Sequence, residues 1–502
     1  MRRMGAALSA LLFLASAVPV MADTNGEPMI VGFDCDMAFQ YRQMGMGWEV
    51  GGEAIDLMRF MSLNGSSGIR IGVGTNATGS LSIDLAIKAI RWARESALMV
   101  DVFFYLSSIG ADLGKQPAPI GWEDKSLTER AYLAGEHLRS CAATLVRENC
   151  TDHLYEVGNE IDYGLCGSFV SDPTRWPETE GNIEFLKSTV WQEEATILRE
   201  AIAGLYDGDP DAKVVLHLAH WWNLTFCKEF YGFMESQGVP FDYVGLSYYP
   251  SSGIYDLGEF MMRGEADANR SAIEFRRTVM GLIEMQYEVV ISEFAYPCTS
   301  DIPGMFSSFD KQLSNYPLDA SGQAEFIEDT LLWLHDQRKV VAAFYFAPHF
   351  YKTFLTDVWG AFALFDENGE SRPGLFSIGK LAHLQPELAA QLESRELIVR
   401  AWDAIESSES GGRTEGLLEA RLDADEAWRA YTSGEFGNAT RLAGEAIERA
   451  QDAFDPTLRR TLQVITLLIL GVVVVAFLVV LRRRIKRVID VYLGSIKAIR
   501  HR

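Results

Sequence analysis

From about residue 28 to residue 385, two hydrophobic rhythms alternate along the chain. Short runs of β-branched and aromatic residues predict strands at Met29–Phe33, Gly68–Val73, Met99–Tyr105, His153–Val157, Lys213–Leu218, Tyr243–Ser247, Glu288–Ser292 and Val341–Phe346. Longer stretches with apolar residues three and four apart predict helices between them, among others at Ser82–Ser96, Leu127–Val146, Glu180–Leu205, Arg270–Gln286 and Ala320–Asp336. Strand and helix in alternation is the signature of βα units around parallel strands. Eight such strands in this length predict an α/β fold, a single (β/α)8 TIM barrel over residues 23–385 with insertions. An open, doubly wound sheet is the competing architecture, and it calls for a glycine-rich turn after the first strand. The glycine string from Gly72 to Gly79 follows the second strand and has the wrong spacing.

Past Leu384 the texture shifts to Ala, Glu, Arg and Leu. Glu387–Ser407, Thr414–Thr432 and Glu435–Ala453 read as amphipathic helices. Residues 386–456 are therefore expected to be an α-helical stalk between barrel and membrane. Ala427–Ala453 resembles one tetratricopeptide hairpin, too little for a peptide-binding solenoid. Leu462–Leu481 then runs for twenty residues without a charge, enough to cross a bilayer as a helix. Arg482, Arg483, Arg484, Lys486 and Arg487 follow, and the positive-inside rule places the tail 482–502 in the cytoplasm. At the other end, Arg2 and Arg3 precede an apolar run that closes on Val20-Met21-Ala22, the pattern of an export signal over residues 1–22. The ends together predict a single-pass membrane protein with an extracytoplasmic N-terminal ectodomain.

Composition narrows the classes. The formal charge is −24, with 48% hydrophobic and 23% charged residues. That is globular rather than disordered, and it speaks against nucleic acid as a partner. The six cysteines, Cys35, Cys141, Cys150, Cys166, Cys227 and Cys298, are an even number in an exported chain, so disulfide bonds are expected without a readable pairing. No CxxC or HExxH spacing exists; His217, His220 and Glu229 do not form a recognisable ligand set, and no metal is expected from the residues.

The candidate chemistry lies where a barrel keeps its reactive groups, at the C-terminal ends of strands. Asn159 and Glu160 fall just past the fourth strand, and Glu293 at the end of the seventh. Opposed carboxylates suit glycoside hydrolysis. One stays protonated and gives its proton to the leaving oxygen, while the other attacks the anomeric carbon or activates water. Asn159 beside the acid is suited to holding a sugar hydroxyl.

Six motifs in order carry a resemblance: Gly32-Phe33-Asp34-Cys35-Asp36, Ala111-Asp112-Leu113-Gly114-Lys115-Gln116 with Trp122, Val157-Gly158-Asn159-Glu160-Ile161, Leu216-His217-Leu218-Ala219, Phe241 to Pro250, and Ser292-Glu293-Phe294-Ala295-Tyr296-Pro297. Over roughly residues 30–375 the chain resembles glycoside hydrolase family 53, the arabinogalactan endo-β-1,4-galactanases, within the clan of retaining barrel glycosidases. The resemblance implies Glu160 as acid/base, Glu293 as nucleophile, and a glycosyl-enzyme intermediate. Sugar-binding places are expected for Asn159, Arg70, Asp34, Tyr105, Asp112, His217, Trp221, Tyr248, Phe346 and Trp359, with Tyr248 orienting the nucleophile or stacking on sugar. Trp221, Trp222, Tyr249 and Trp359 are candidate stacking platforms or loop anchors. No cofactor is implied, and a structural calcium only by the resemblance. The implied partner is a β-linked polysaccharide or oligosaccharide.

The sequence also departs from the family. Arg70 matches the first arginine of the strand-two motif, but the second position is Gly72 and the tryptophan position Gly74. The histidine and tyrosine after strand three are Tyr105 and Leu106, the following tryptophan is Gly110, and the tryptophan–glutamate pair of strand eight is Phe346-Ala347. These changes alter the cleft rather than the reacting pair. The expected function is a retaining β-glycosidase. The other reading is a non-hydrolytic glycan-binding or surface-structural protein on the same barrel.

Overall fold

Eight parallel strands close on themselves in the computed structural model, which describes residues 29–500 apart from 77, 177–178, 253–267, 352–358 and 385–388. The barrel strands, numbered one to eight in chain order, are Ile30–Asp34, Gly68–Val73, Met99–Phe104, Leu154–Val157, Lys213–Leu218, Tyr243–Tyr248, Glu288–Phe294 and Val340–Tyr345. Each pairs with its sequence neighbours, and strand one closes the ring against strand eight. The (β/α)8 expectation and all eight strand positions hold. The export-signal reading at 1–22 lies outside the described residues.

Alternation along each strand sorts the core into two parts. Outward residues such as Val31, Phe33, Ile69, Ile71, Val102, Tyr155, Leu216 and Ile291 bury against the surrounding helices. Inward residues Leu154, Val215, Val290, Ala342 and Phe344 fill the lower half of the barrel. Gly32 lets strands one and two close up there, since a Cβ at that position would lie 1.8 Å from the Gly68 carbonyl oxygen. Above this apolar plug the inward positions turn polar, and the site is built on them.

The helices have local causes. Ser126 and Glu129 form a reciprocal capping box that starts Leu127–Arg147. Gly135 on that helix meets Gly204 on Val190–Gly208, so the two backbones touch. The single helix expected over Glu180–Leu205 is two, Glu180–Ser188 and Val190–Gly208. Ser188 and Thr189 turn their hydroxyls back onto the carbonyls of Glu184 and Phe185, which competes with the helical ladder and bends the chain at Thr189.

After the barrel, Ala389–Ser410, Leu417–Thr432 and Phe436–Gln451 form a bundle with an alanine-rich core closed by Trp428 and Tyr431. Its core continues into Ala97, Leu63 and Met99 of the barrel. Asp403 pairs with Arg59, Arg395 donates to the Gly65 carbonyl at 3.1 Å, and the Arg94 guanidinium sits 5.8 Å from the Trp428 ring. These contacts lie at the starts of strands two and three, opposite the catalytic end. Pro456–Arg500 is one long helix, and Val464–Arg487 within it has a mean hydropathy of 3.4 with none of its surface buried.

All six cysteines are free thiols, which corrects the disulfide expectation. Five are buried, and they act as small packing groups on separate elements. Cys227, for example, directs its thiol to the His220 carbonyl. The described structure supplies no bridge for an oxidising exterior to maintain.

Candidate active site

At the polar level of the barrel one cation holds several acids. Arg70, fully enclosed on strand two, places Nη1 2.7 Å from Asp34 Oδ2 and 3.0 Å from Glu293 Oε1. Its Nη2 lies 2.7 Å from both Glu156 Oε2 and Asn159 Oδ1. The guanidinium also lies 3.7 Å from the Phe103 ring centroid. Burial of such charges is tolerated only when they are paired and hydrogen-bonded. Arg70 therefore fixes Asp34, Glu156, Asn159 and Glu293 in one geometry; burial alone would raise Glu156, but the Arg70 charge holds it well below the usual carboxylate range.

Glu293 reaches this level through a break in pattern. Val290 faces inward and Ile291 outward, so strict alternation would turn Glu293 out. The pairing of strand seven shifts register on both sides near its end, and Glu293 comes to lie beside Ser247 and inside the barrel. Its Oε2 accepts the Tyr249 hydroxyl at 2.5 Å. Burial raises Glu293 to about 7, opposed by Arg70 and reinforced by the charge of Glu160.

Glu160 stands in the left-handed region, with φ at 49°, which costs a non-glycine residue about 1–2 kcal/mol. The turn is braced from three sides. Gln116 donates to the carbonyls of Asn159 at 2.8 Å and Glu160 at 3.2 Å. Asn159 donates to Ala111 O at 3.0 Å, and Ile161 N to His217 O at 3.0 Å. The Glu160 carboxyl takes the Ser247 hydroxyl at 2.6 Å and the Leu113 N–H at 3.1 Å. Burial raises Glu160 to about 7, and the nearby Asp112 and Asp162 charges add to this against the Ser247 and Leu113 bonds. Ser247 has a single proton, which goes to Glu160. Its 2.9 Å bond with His217 therefore requires the Nε2–H form of that ring.

Two carboxyls in electrostatic contact titrate as a pair. Glu293 has a full cation and a phenol to stabilise its charge, whereas Glu160 has a hydroxyl and one amide.

Glu160, Glu293, Asn159, Arg70, Asp34 and His217 thus meet at one place. Tyr105 and Asp112 stand at the mouth, Asp112 on the loop that delivers Leu113 to Glu160. Phe346 and Trp359, both partly buried, form an aromatic wall with Phe306 and the buried Tyr249; Trp359 is 4.5 Å from Phe346 and 4.2 Å from Phe306 between centroids. Two expectations need correction. Tyr248 faces outward, stacked 3.7 Å from Phe275 and 4% exposed, so the bond to Glu293 belongs to Tyr249. Trp221 is 2% exposed, wedged between Trp222 and Tyr248, and is an anchor of the loop rather than a platform. His220 is engaged by Asp162 and Tyr163, and Glu229 by Lys187.

Glu156, Ser247 and Gln116 were not among the expected site residues. For two of them strand alternation was the available signal: Tyr243, Gly245 and Ser247 share the inward face of strand six, as Leu154 and Glu156 share that of strand four. His153, Asp209 and Asp211, at the opposite end of the barrel, are close enough to crowd an ion, but His153 Nδ1 and the Tyr155 hydroxyl each already lie 2.7 Å from Asp209.

A closed (β/α)8 barrel with one buried glutamate just past strand four and a second, held by an arginine, at the end of strand seven is the architecture of a retaining β-glycosidase. The chain belongs to glycosyl hydrolase family 53, whose model matches residues 30–377. Among similar proteins, arabinogalactan endo-β-1,4-galactanase A of Aspergillus niger is 24% identical over 330 residues, 64% of this chain and 83% of that protein. The Humicola insolens arabinogalactan endo-β-1,4-galactanase is 24% identical over 307 residues, 60% of this chain and 82% of that one. The Ignisphaera aggregans GH53 catalytic domain superposes with a TM-score of 0.57 at 22% identity, covering 70% of this chain and 95% of its own. A structure of fungal β-1,4-galactanases also gives 0.57, at 20% identity and with 70% and 99% coverage.

Proposed function

We propose that the chain cleaves β-1,4-galactan or a closely related β-linked polysaccharide, with Glu160 as acid/base and Glu293 as nucleophile. The observation that carries this is the unequal treatment of the two carboxyls. Glu293, ionised by Arg70 and Tyr249, attacks the anomeric carbon as the C–O bond breaks. Glu160 delivers its proton to the leaving oxygen, then takes one from the water that releases the sugar from Glu293. Asn159, held by Arg70, is aimed to bind a hydroxyl of the reacting sugar, and Trp359 with Phe346 offers a stacking wall.

The test is product analysis of the full chain in detergent on β-1,4-galactan, arabinogalactan, other β-glycans and aryl β-glycosides, with Glu293→Gln in parallel. Oligosaccharides released by the wild type alone are expected. Binding without release would support the non-hydrolytic alternative.

Ser247 gives a further prediction. Its bond favours the charged form of Glu160, so Ser247→Ala should raise that group above about 7. The alkaline limb of the pH profile of kcat/KM then moves up by roughly half a unit or more. A fixed limb would argue against Glu160 as the acid.

We further infer that the uncharged run Leu462–Leu481 anchors the protein in a membrane, with residues 482–502 cytoplasmic and the barrel outside the cytoplasm. The bundle docked on the non-catalytic end of the barrel would act as its base. Removing residues 456–502 should move the protein from the membrane fraction to the soluble one; retention in membranes would overturn the single anchor.

A further inference from the structure

The mechanism leaves Asp36 unused. It lies two residues past strand one, at the mouth. Its Oδ1 accepts the Gly72 N–H at 3.0 Å, and the Tyr105 hydroxyl lies 3.4 Å from Oδ2. Both side chains are half-buried and reach the cleft, whereas Asp34 and Arg70 beneath them are closed off. A Cβ on Gly72 would come within 2.7 Å of the Phe103 ring and 2.8 Å of both Asp36 Oδ1 and the Tyr105 ring, so these three groups fill the space above strand two. Burial and the charge of Asp34 raise Asp36 to about 7, against the pull of Gly72, Arg70 and Tyr105.

The charges around this space are one-sided. Asp34 lies behind Asp36, and Arg70 joins Asp34 to Glu156 and Glu293. Arg70 turns its terminal nitrogens to these acids and exposes no surface. Lys115 at the rim faces Asp112 at 3.4 Å. Among the described residues of the cleft, an incoming carboxylate therefore meets carboxyl groups, while a hydroxyl or an amine meets acceptors. Like charges set face to face reject the wrong partner.

We propose that Asp36, backed by Tyr105, sets substrate specificity: it admits β-linked glycans whose sugars are neutral or amine-bearing and excludes those bearing carboxylates. This rests on the glycosidase reading above and narrows its substrate class.

The experiment measures, at pH 8 where Asp36 is ionised, binding of three oligosaccharides to the full chain in detergent, silenced by Glu160→Gln: a β-1,4-galactotetraose, its C6-oxidised counterpart and its 2-amino counterpart. The oxidised chain is expected to bind at least about tenfold more weakly than the other two. Adding Asp36→Asn, which keeps the acceptor for Gly72, should shrink that gap to within about threefold. Asp36→Ser should do the same, which guards against a packing artefact of the amide. A gap that survives both substitutions, or no binding of any of the three, overturns the proposal. Hydrolysis of the same sugars by the wild type is read separately. Binding with the expected gap but no hydrolysis would sink the glycosidase reading and leave the role of Asp36 standing.

Discussion

Glu293→Gln is expected to lower kcat by at least about 10⁴-fold on every substrate the wild type cleaves, because no glycosyl-enzyme can form. The fold should survive. The amide keeps the shape of the side chain, and Arg70 retains Asp34 and Glu156 as partners at 2.7 Å. Glu160→Gln is expected to behave differently according to the leaving group. On polysaccharide, where the departing alkoxide needs a proton, the loss should be about 10²–10⁴-fold. On a dinitrophenyl glycoside, whose leaving group departs unprotonated, the first step should be nearly intact. Water attack should then become limiting, seen as a burst followed by slow turnover. Equal losses on both substrates would remove Glu160 from the acid role, and activity retained in Glu293→Gln would remove the nucleophile.

The second large effect is at Arg70. Arg70→Met strands Asp34, Glu156 and Glu293 together without a cation, in a region closed to water. Removing one side of a buried ion pair typically costs about 3–5 kcal/mol, and here three acids share the missing partner. The sign with pH follows from linkage. In the wild type Glu156 is held below its ordinary value, so its contribution is present above the unfolded carboxylate pKa and fades as pH falls toward the folded one. In Arg70→Met Glu156 is pushed up instead, Asp34 and Glu293 rise further without the cation that opposes their burial, and folding becomes less favourable as pH rises. The melting-temperature gap between wild type and variant should therefore be wider at pH 7.5 than at pH 4.5. Arg70→Lys keeps the charge but not the fork that serves four partners, so it should recover stability better than activity. A gap independent of pH would mean that Arg70 acts through packing on Phe103 rather than through charge.

The barrel was legible because its signal is repeated eight times. Each strand is short and apolar, each is separated by a helical stretch, and an error at one end moves a boundary without changing the topology. The glutamates were legible for a related reason, since strand ends are where a barrel exposes reactive groups. The resemblance of six ordered motifs supplied the roles. The break at Thr189 was hidden because both halves of Glu180–Gly208 carry helical periodicity, and only the hydroxyls of Ser188 and Thr189 turn the backbone. The free cysteines were hidden because an even count says nothing about distance.

What the sequence determined by itself is the ring of eight strands, the two acids at the ends of strands four and seven, and an apolar helix near the C-terminus. These depend on local pattern. What only the tertiary structure decided is which neighbour serves which acid. The register shift at the end of strand seven brings Glu293 inward against alternation and sets Tyr249, not Tyr248, on its oxygen. The same closure lets Arg70 bind residues 36, 86, 89 and 223 positions away. It also docks a helical segment that reads as a free stalk onto the base of the barrel. Protonation follows from those contacts, because a carboxyl's charge is set by the donors and cations around it in space, and chain order does not record them.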